Sequence, residues 1–210
     1  GNEAFVFCCF NNSYKINPSQ LDAWVKILGS VNNSVLWLFE SNISASENLK
    51  YECQMRGIGP EKVIFTERLD SYSDHLGRYV LADVFLDTFP YGAHTTISDA
   101  IWSGLPVITQ MGRSFQSRIA YSVMGAMGLQ KYVATNQEEY INLAIRLANE
   151  PHQLSRYREL IKANRTKLTD IKEYVDNFES LYKKIYSKCI DGEALNSIEC
   201  EDYLNGRGYL

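Results

Sequence analysis

The sequence lacks the features that define several classes of protein. Its five cysteines, Cys8, Cys9, Cys53, Cys189 and Cys200, include no CxxC pair. This pattern argues against a disulfide framework or a cysteine-rich zinc site and predicts reduced thiols in a cytoplasmic protein. No apolar run approaches the roughly 20 residues that cross a bilayer, and no charged-then-apolar segment resembles a signal peptide. We therefore expect no membrane partner.

An excess of positive charge is also missing. Lys and Arg number 21 and Asp and Glu number 25, which gives a net charge of -4 over 210 residues. Nucleic acid is therefore not an expected partner, and any anion site must be local. The chain contains no HExxH or GxSxG motif, so the metalloenzyme and hydrolase classes are disfavoured and no metal ligands are predicted.

Short apolar runs alternate with amphipathic stretches along most of the chain. The runs are Ala4–Phe10, Val35–Phe39, Val63–Phe65, Val84–Leu86 and Val107–Thr109, and the stretches are Pro18–Leu28, Ser44–Arg56, Ser71–Leu81, Thr95–Ser103 and Gln116–Met127. Strands that are apolar throughout, each followed by a helix, predict a parallel sheet with helices on both faces. We therefore predict an α/β fold with a Rossmann-like, doubly wound parallel sheet.

After Asn136 the pattern becomes entirely helical. The predicted helices are Gln137–Asn149, Gln153–Leu168 and Ile171–Lys188, and Pro151 suits the first turn of a helix. We divide the chain into a Rossmann-like domain over residues 1–150, C-terminal helices over 151–190 and a tail over 191–210.

The segment from Tyr91 to Thr109 has the character of a diphosphate site. A glycine turn leads into a helix whose first N–H groups and dipole attract phosphate, and the hydroxyls of Thr95 and Thr96 can add donors. One face of this helix is expected to be buried, since apolar residues recur at i, i+3, i+4 and i+7: Ile97, Ala100, Ile101 and Gly104. Thr95 and Asp99 then lie one turn apart on another face. Asp99 is placed to accept from a sugar hydroxyl. His94, at the helix start, is either a ligand or a capping histidine.

Two further segments follow predicted strands, where ligands of open parallel sheets bind. Asn12 offers amide donors and Lys15 a point charge for phosphate, although a solvated polar loop is the alternative. His75 and Arg78 lie at i and i+3 on one helix face, where an imidazole can stack on a base and a guanidinium can bind oxygens. A solvated helix face is again the alternative. That face is opposite the apolar side chains of Leu76, Tyr79 and Val80.

Five motifs together resemble the O-linked N-acetylglucosamine transferase family. They are Phe10-Asn11-Asn12-Ser13-Tyr14-Lys15-Ile16, Leu81-Ala82-Asp83-Val84-Phe85-Leu86-Asp87-Thr88, His94-Thr95-Thr96 with Asp99, Leu105-Pro106-Val107, and Ser117-Arg118-Ile119-Ala120. The resemblance implies the two-lobed GT-B glycosyltransferase fold, usually behind tetratricopeptide repeats. This chain then corresponds to the C-terminal lobe, which binds the nucleotide sugar over residues 1–150, and its helices over 151–190 are expected to pack on this domain or on the N-terminal lobe.

The resemblance also implies a role for each matching residue. Lys15 is expected to be the catalytic group: it would contact the UDP pyrophosphate and stabilise the negative charge that develops on the leaving UDP. The other expected UDP-sugar contacts are Asn12 as a ligand-contacting amide, His94, Thr95 and Thr96 on the phosphates, Asp99 on the ribose, and His75 and Arg78 against uracil. One position departs from the family, which often has a ribose-contacting lysine where this chain has Asp70, Ser71 and Tyr72.

The implied function is transfer of N-acetylglucosamine, or a related sugar, from a UDP-sugar to Ser or Thr of a protein. No cofactor or metal is expected, because a helix N-terminus and a lysine can neutralise the departing diphosphate. The expected partners are UDP-N-acetylglucosamine or another UDP-sugar, a protein acceptor and the N-terminal lobe of the same full-length chain, which holds the acceptor pocket. This chain alone should therefore bind without turnover. Another inverting GT-B enzyme, acting on a glycan or on Asn, and a non-catalytic nucleotide-sugar-binding module are the alternatives.

Overall fold

The computed structural model describes residues 4–193, whose contacts form two compact units. The first unit extends through Arg165, past position 150, the predicted end of the Rossmann-like domain, and the second begins at Thr166. Residues 194–210, which include Cys200 and most of the predicted tail, lie outside the described part. Cys8, Cys9 and Cys53 are buried free thiols, and Cys189 is an exposed one.

The first unit contains a parallel sheet in the order β3-β2-β1-β4-β5-β6. Its strands are β1 (Phe5–Cys9), β2 (Ser34–Phe39), β3 (Val63–Thr66), β4 (Val84–Leu86), β5 (Val107–Gln110) and β6 (Val133–Ala134). This is the doubly wound Rossmann order, so the predicted fold class is confirmed. The prediction contained the first five strands and missed β6, because two residues are too few to produce a periodic pattern.

Helices connect the strands and cover both faces of the sheet. They are α1 (Pro18–Ser30), α2 (Ile43–Met55), α3 (Tyr72–Arg78), α4 (Thr95–Trp102), α5 (Ile119–Ala126), α6 (Gln137–Asn149) and α7 (Pro151–Asn164). Asn17, Asn42 and Asn136 cap α1, α2 and α6, since each side chain accepts a backbone N–H three residues further on. Pro151 occupies the first turn of α7, as expected.

One helix differs from its prediction in a way that affects the site. The helix predicted over Ser71–Leu81 ends at Arg78 and continues as a 3-10 turn over Tyr79–Leu81. In this turn Tyr79 is completely buried and Val80 is 72% exposed. The expected placement of Tyr79 opposite His75 and Arg78 is wrong, because the ring centroids of His75 and Tyr79 lie 5.3 Å apart. Arg78, which the alternative interpretation left solvated, is buried like Tyr79.

The second unit contains α8 (Ile171–Ile190), which Asp170 caps through the N–H of Glu173. Its apolar side chains are exposed along the length of the helix: Ile171, Tyr174, Val175, Phe178, Tyr182, Ile185, Tyr186 and Ile190. Across residues 4–193, no helix is long and apolar enough to cross a membrane.

Tyr157 on α7 compensates for the shortness of β6. The first β5–β6 pair joins Thr109 and Val133, so Val107 lies before the start of β6. The Tyr157 hydroxyl takes the place of a strand there, accepting from Val107 N–H at 3.3 Å and donating to Val107 C=O at 2.6 Å. The ring of Tyr157 stacks on Tyr132 with centroids 3.4 Å apart.

We expect Tyr157→Phe to lower the free energy of unfolding by about 1–3 kcal/mol, because two buried backbone groups lose their partner. Urea denaturation followed by circular dichroism measures the change. Tyr132→Phe is the matched control, since it removes a hydroxyl from the other ring of the stack and should change stability by less than about 0.5 kcal/mol. Equal effects of the two substitutions would contradict this account of β5.

Candidate functional site

The candidate site lies at the carboxyl edge of the sheet, between β1 and β4. The chain order of the strands reverses there, and in open α/β sheets this reversal leaves a crevice where ligands bind. The segment after β1 and the segment after β4 border the crevice, and α4 begins in it.

Asp87 and Asn11 form the buried base of the site, with 1% and 2% of their surfaces exposed. Asn11 Nδ2 donates to Asp87 Oδ1 at 3.0 Å. The same carboxylate accepts from the backbone N–H groups of Thr88 and Ala93, both at 2.7 Å, and from Thr109 Oγ1 at 2.7 Å. Burial raises the pKa of Asp87 to about 6, and these hydrogen bonds oppose the rise.

The loop between β4 and α4 is fixed at several points. Phe89 N–H donates to Gln20 Oε1 at 2.9 Å, and Asn17 Nδ2 donates to the Phe89 carbonyl at 2.7 Å. At Gly92 the loop passes so close to its surroundings that a Cβ would lie 3.1 Å from Asp87 Oδ2. A Cβ at this distance would be tighter than ordinary van der Waals contact, so the close approach favours glycine there.

Lys15 reaches this loop from the segment after β1. Its Nζ donates to the Gly92 carbonyl at 2.9 Å and lies 4.2 Å from the ring centroid of Tyr91. The ammonium group is therefore held beside the peptide that leads into α4.

The first turn of α4 presents hydrogen-bond donors. His94 occupies the cap position without a side-chain cap hydrogen bond, which leaves the first N–H groups and the positive end of the helix dipole available for an anion. Thr95 is exposed, whereas the Thr96 hydroxyl donates to Asn11 Oδ1 at 2.5 Å.

The surroundings of the His94 imidazole favour its neutral form. Burial lowers its pKa, the Lys15 charge lowers it further, and a hydrogen bond to the Gln116 backbone opposes both effects. Its Nε2 is buried and has no partner among residues 4–193. Since buried polar atoms normally have partners, this nitrogen is available to accept a hydrogen bond from a ligand.

The second group of predicted residues lies where α3 faces α4. His75 Nε2 is 3.3 Å from Asp99 Oδ2, and the other carboxylate oxygen accepts from the Tyr72 hydroxyl at 2.6 Å. Arg78 donates to His75 Nδ1, which leaves the proton on Nε2, facing Asp99. Arg78 also donates to the Glu67 carbonyl at 3.0 Å.

A cavity of about 400 Å³ opens beside this group. Its lining residues are Phe10, Asn12, Phe39, Arg68, Leu69, Asp70, Tyr72, His75 and Arg78. The Arg78 guanidinium lies 4.5 Å from the Phe10 ring centroid, and its Nε is buried without a partner in the described part of the chain. The cavity combines aromatic surface with free polar groups, as small-molecule sites do.

The structure brings all eight predicted site residues to one edge of the sheet. Lys15, His94, Thr95 and Thr96 surround the start of α4, whereas Asn12, His75, Arg78 and Asp99 belong to the α3 side. The prediction did not assign Asn11, Asp87, Tyr72 or Tyr91. Asn11 and Asp87 are polar residues directly after apolar runs, which was a usable signal. No cluster of three or more metal-ligating side chains occurs in the described ranges.

The strand order and the polar crevice at the switch point define a Rossmann-like domain of the nucleotide-binding type. Sequence comparison is more specific, because the model of Glycosyl transferase family 41 matches residues 1–178. The chain belongs to this family.

Individual relatives agree with this assignment. The chain is 36% identical over 199 residues to the UDP-N-acetylglucosamine--peptide N-acetylglucosaminyltransferase of Caenorhabditis elegans, covering 94% of this chain and 17% of the relative. It is 34% identical to a probable enzyme of the same name from Arabidopsis thaliana, covering 91% and 20%. A solved mutant of the Thermobaculum terrenum O-GlcNAc transferase superposes with a TM-score of 0.81 at 30% identity, covering 89% and 37%. The chain thus spans about a fifth of the length of the two curated relatives and 37% of the chain in the solved structure.

We expect Lys15→Met to raise the pKa of His94, because it removes the nearby positive charge that disfavours the imidazolium. The chain has only three histidines, so NMR titration of the ring signals can follow His94 separately. In the unmodified chain its pKa should lie below 6.5, the ordinary value for histidine. Lys26→Met, on the exposed face of α1, is the control and should leave that value unchanged. A His94 signal insensitive to Lys15→Met would refute the proximity of the two groups.

Proposed function

We propose that this chain is the UDP-sugar-binding part of a glycosyltransferase that transfers N-acetylglucosamine, or a related sugar, to Ser or Thr of a protein. The names of the relatives support the donor and the acceptor. The observation that carries the proposal is the convergence of Lys15, the open start of α4 and the His75–Asp99–Arg78 group on the crevice between β1 and β4.

The two sides of the site suit the two ends of a nucleoside diphosphate. The cavity beside α3 would hold the uracil, with the His75 ring against its face and Arg78 Nε donating to a carbonyl oxygen. Asp99, on α4 between the two sides, would accept from the ribose hydroxyls. Tyr72 now donates to Asp99, so a ribose hydroxyl would share or replace that hydrogen bond.

The diphosphate would lie at the start of α4, beside Lys15. During transfer the acceptor oxygen attacks the anomeric carbon, the bond from that carbon to the β-phosphate oxygen breaks, and negative charge develops on the departing UDP. The Lys15 ammonium and the free N–H groups of α4 are positioned to stabilise this charge without reorganisation. The acceptor hydroxyl loses its proton to a base, which we place in the N-terminal lobe with the acceptor pocket.

We further propose that α8 contacts the remainder of the full-length protein. Its exposed stripe, which contains Tyr174, Phe178 and Tyr182, is larger than the isolated apolar residues that surfaces normally carry. The relatives are about five times as long as this chain, so the N-terminal lobe is the partner we assign to this stripe.

The cysteine pattern supports a cytoplasmic location.

The chain should bind UDP more tightly than UMP, because only the second phosphate reaches both Lys15 and the α4 start. Lys15→Met should weaken UDP binding by roughly ten- to a hundredfold, the effect of losing a charge-assisted contact of about 1.5–3 kcal/mol, and leave uridine binding unchanged. Isothermal titration calorimetry measures all three ligands, with Lys26→Met as the control. Equal affinities for UDP and UMP would overturn the proposed function.

We also propose that donor binding requires no divalent cation, since the ammonium and the helix dipole supply the positive charge. UDP affinity measured in excess EDTA should equal that measured in millimolar magnesium. Monovalent salt should weaken binding in both buffers, because the attraction is electrostatic. A large loss of affinity on chelation would show that a metal ion contributes to the site.

A further inference from the structure

The two threonines at the start of α4 differ in what their hydroxyls do. Thr95 is exposed, and its hydroxyl makes no hydrogen bond within residues 4–193. The Thr96 hydroxyl is bound to Asn11 Oδ1 at 2.5 Å. Only one of the two hydroxyl protons is therefore available to a ligand.

The direction of the Thr96 hydrogen bond follows from the groups around Asn11. The Asn11 amide nitrogen donates to the Asp87 carboxylate at 3.0 Å and to Thr88 Oγ1 at 2.8 Å. A carboxylate only accepts, so it fixes which end of the amide faces it. Asn11 Oδ1 must then face Thr96, and the hydroxyl of Thr96 must donate to it.

We propose that Asn11 and the Thr96 hydroxyl are positioning groups that fix the first turn of α4 against β1, and that Thr95 alone offers its hydroxyl to the phosphate. This inference rests on the proposed binding of a nucleoside diphosphate at the start of α4. It reverses the expectation that both threonine hydroxyls donate to phosphate.

The tether connects the two halves of the phosphate site. Asn11 directly precedes the segment that carries Lys15, while Thr96 lies in the turn that presents the free N–H groups. Through Asp87, Asn11 is also linked to the Ala93 N–H, two residues before α4. The hydrogen bond between Asn11 and Thr96 therefore fixes the distance between the ammonium and the helix start before any ligand binds, which reduces the ordering cost of binding.

A double-mutant cycle on the chain tests this assignment, with UDP and uridine as the titrated ligands. Thr96→Val should weaken UDP binding about three- to tenfold in the otherwise unchanged chain. It should have almost no further effect in a chain that carries Asn11→Ala, because the tether is then already lost. Thr95→Val should weaken UDP binding by the same factor in both backgrounds. An equal effect of Thr96→Val in both backgrounds would overturn the inference.

Stability provides a second measurement that does not depend on Asn11→Ala folding. Thr96→Val should lower the urea midpoint of the ligand-free chain, Thr96→Ser should restore it by retaining the hydroxyl, and Thr95→Val should leave it unchanged. If Thr96→Val does not lower the midpoint, Thr96 is not a tether. Binding measurements on the unmodified chain distinguish failure of the proposed function from failure of the role assigned to Asn11 and Thr96. Equal binding of UDP and uridine there would reject the proposed function itself, whereas a clear preference for UDP with an additive cycle would reject only the role of Asn11 and Thr96.

Discussion

Asp87 places a carboxylate at the buried end of β4, where it is tolerated only because donors surround it. Such a group costs several kcal/mol to bury unless hydrogen bonds replace its hydration. Asn11 from the β1 side, Thr109 on β5 and Ala93 in the following loop supply these bonds. The carboxylate thereby joins the ends of three neighbouring strands and shapes the loop that leads into α4. The close approach at Gly92 and the position of the Lys15 ammonium are consequences of that loop conformation.

The site concentrates positive character within a chain whose net charge is -4. Lys15 and the start of α4 provide it on one side, while Arg78 on the other side is buried against Phe10 and bound to His75. Asp99 lies between them and is already paired with Tyr72 and His75. Tyr72 meets Asp99 with a hydroxyl group, which donates to Oδ1. The arrangement favours an anion at one end and a planar ring at the other.

The Rossmann strand order gives this member of Glycosyl transferase family 41 a place where an anionic ligand can bind. A switch point leaves a crevice lined by strand ends, and an uncapped helix N-terminus in that crevice is a ready anion site. On α1, α2 and α6 an asparagine side chain accepts from one of these N–H groups, whereas α5 and α7 also lack a side-chain cap. At α4 the cap position holds His94 instead, and its imidazole leaves those N–H groups free.

The sequence by itself determined the features that depend on neighbouring residues: five of the six strands, the helices between them, and the spacing that puts Thr95 and Asp99 on one side of α4. Local periodicity records these because adjacent residues share a strand or a helix turn. Family motifs added the list of site residues. Only the tertiary structure decided that β6 exists, that Arg78 is buried while Val80 is exposed, and that Asn11 binds Thr96 across 85 positions. Those outcomes depend on contacts between distant segments, and such contacts leave no periodic trace in the order of the residues.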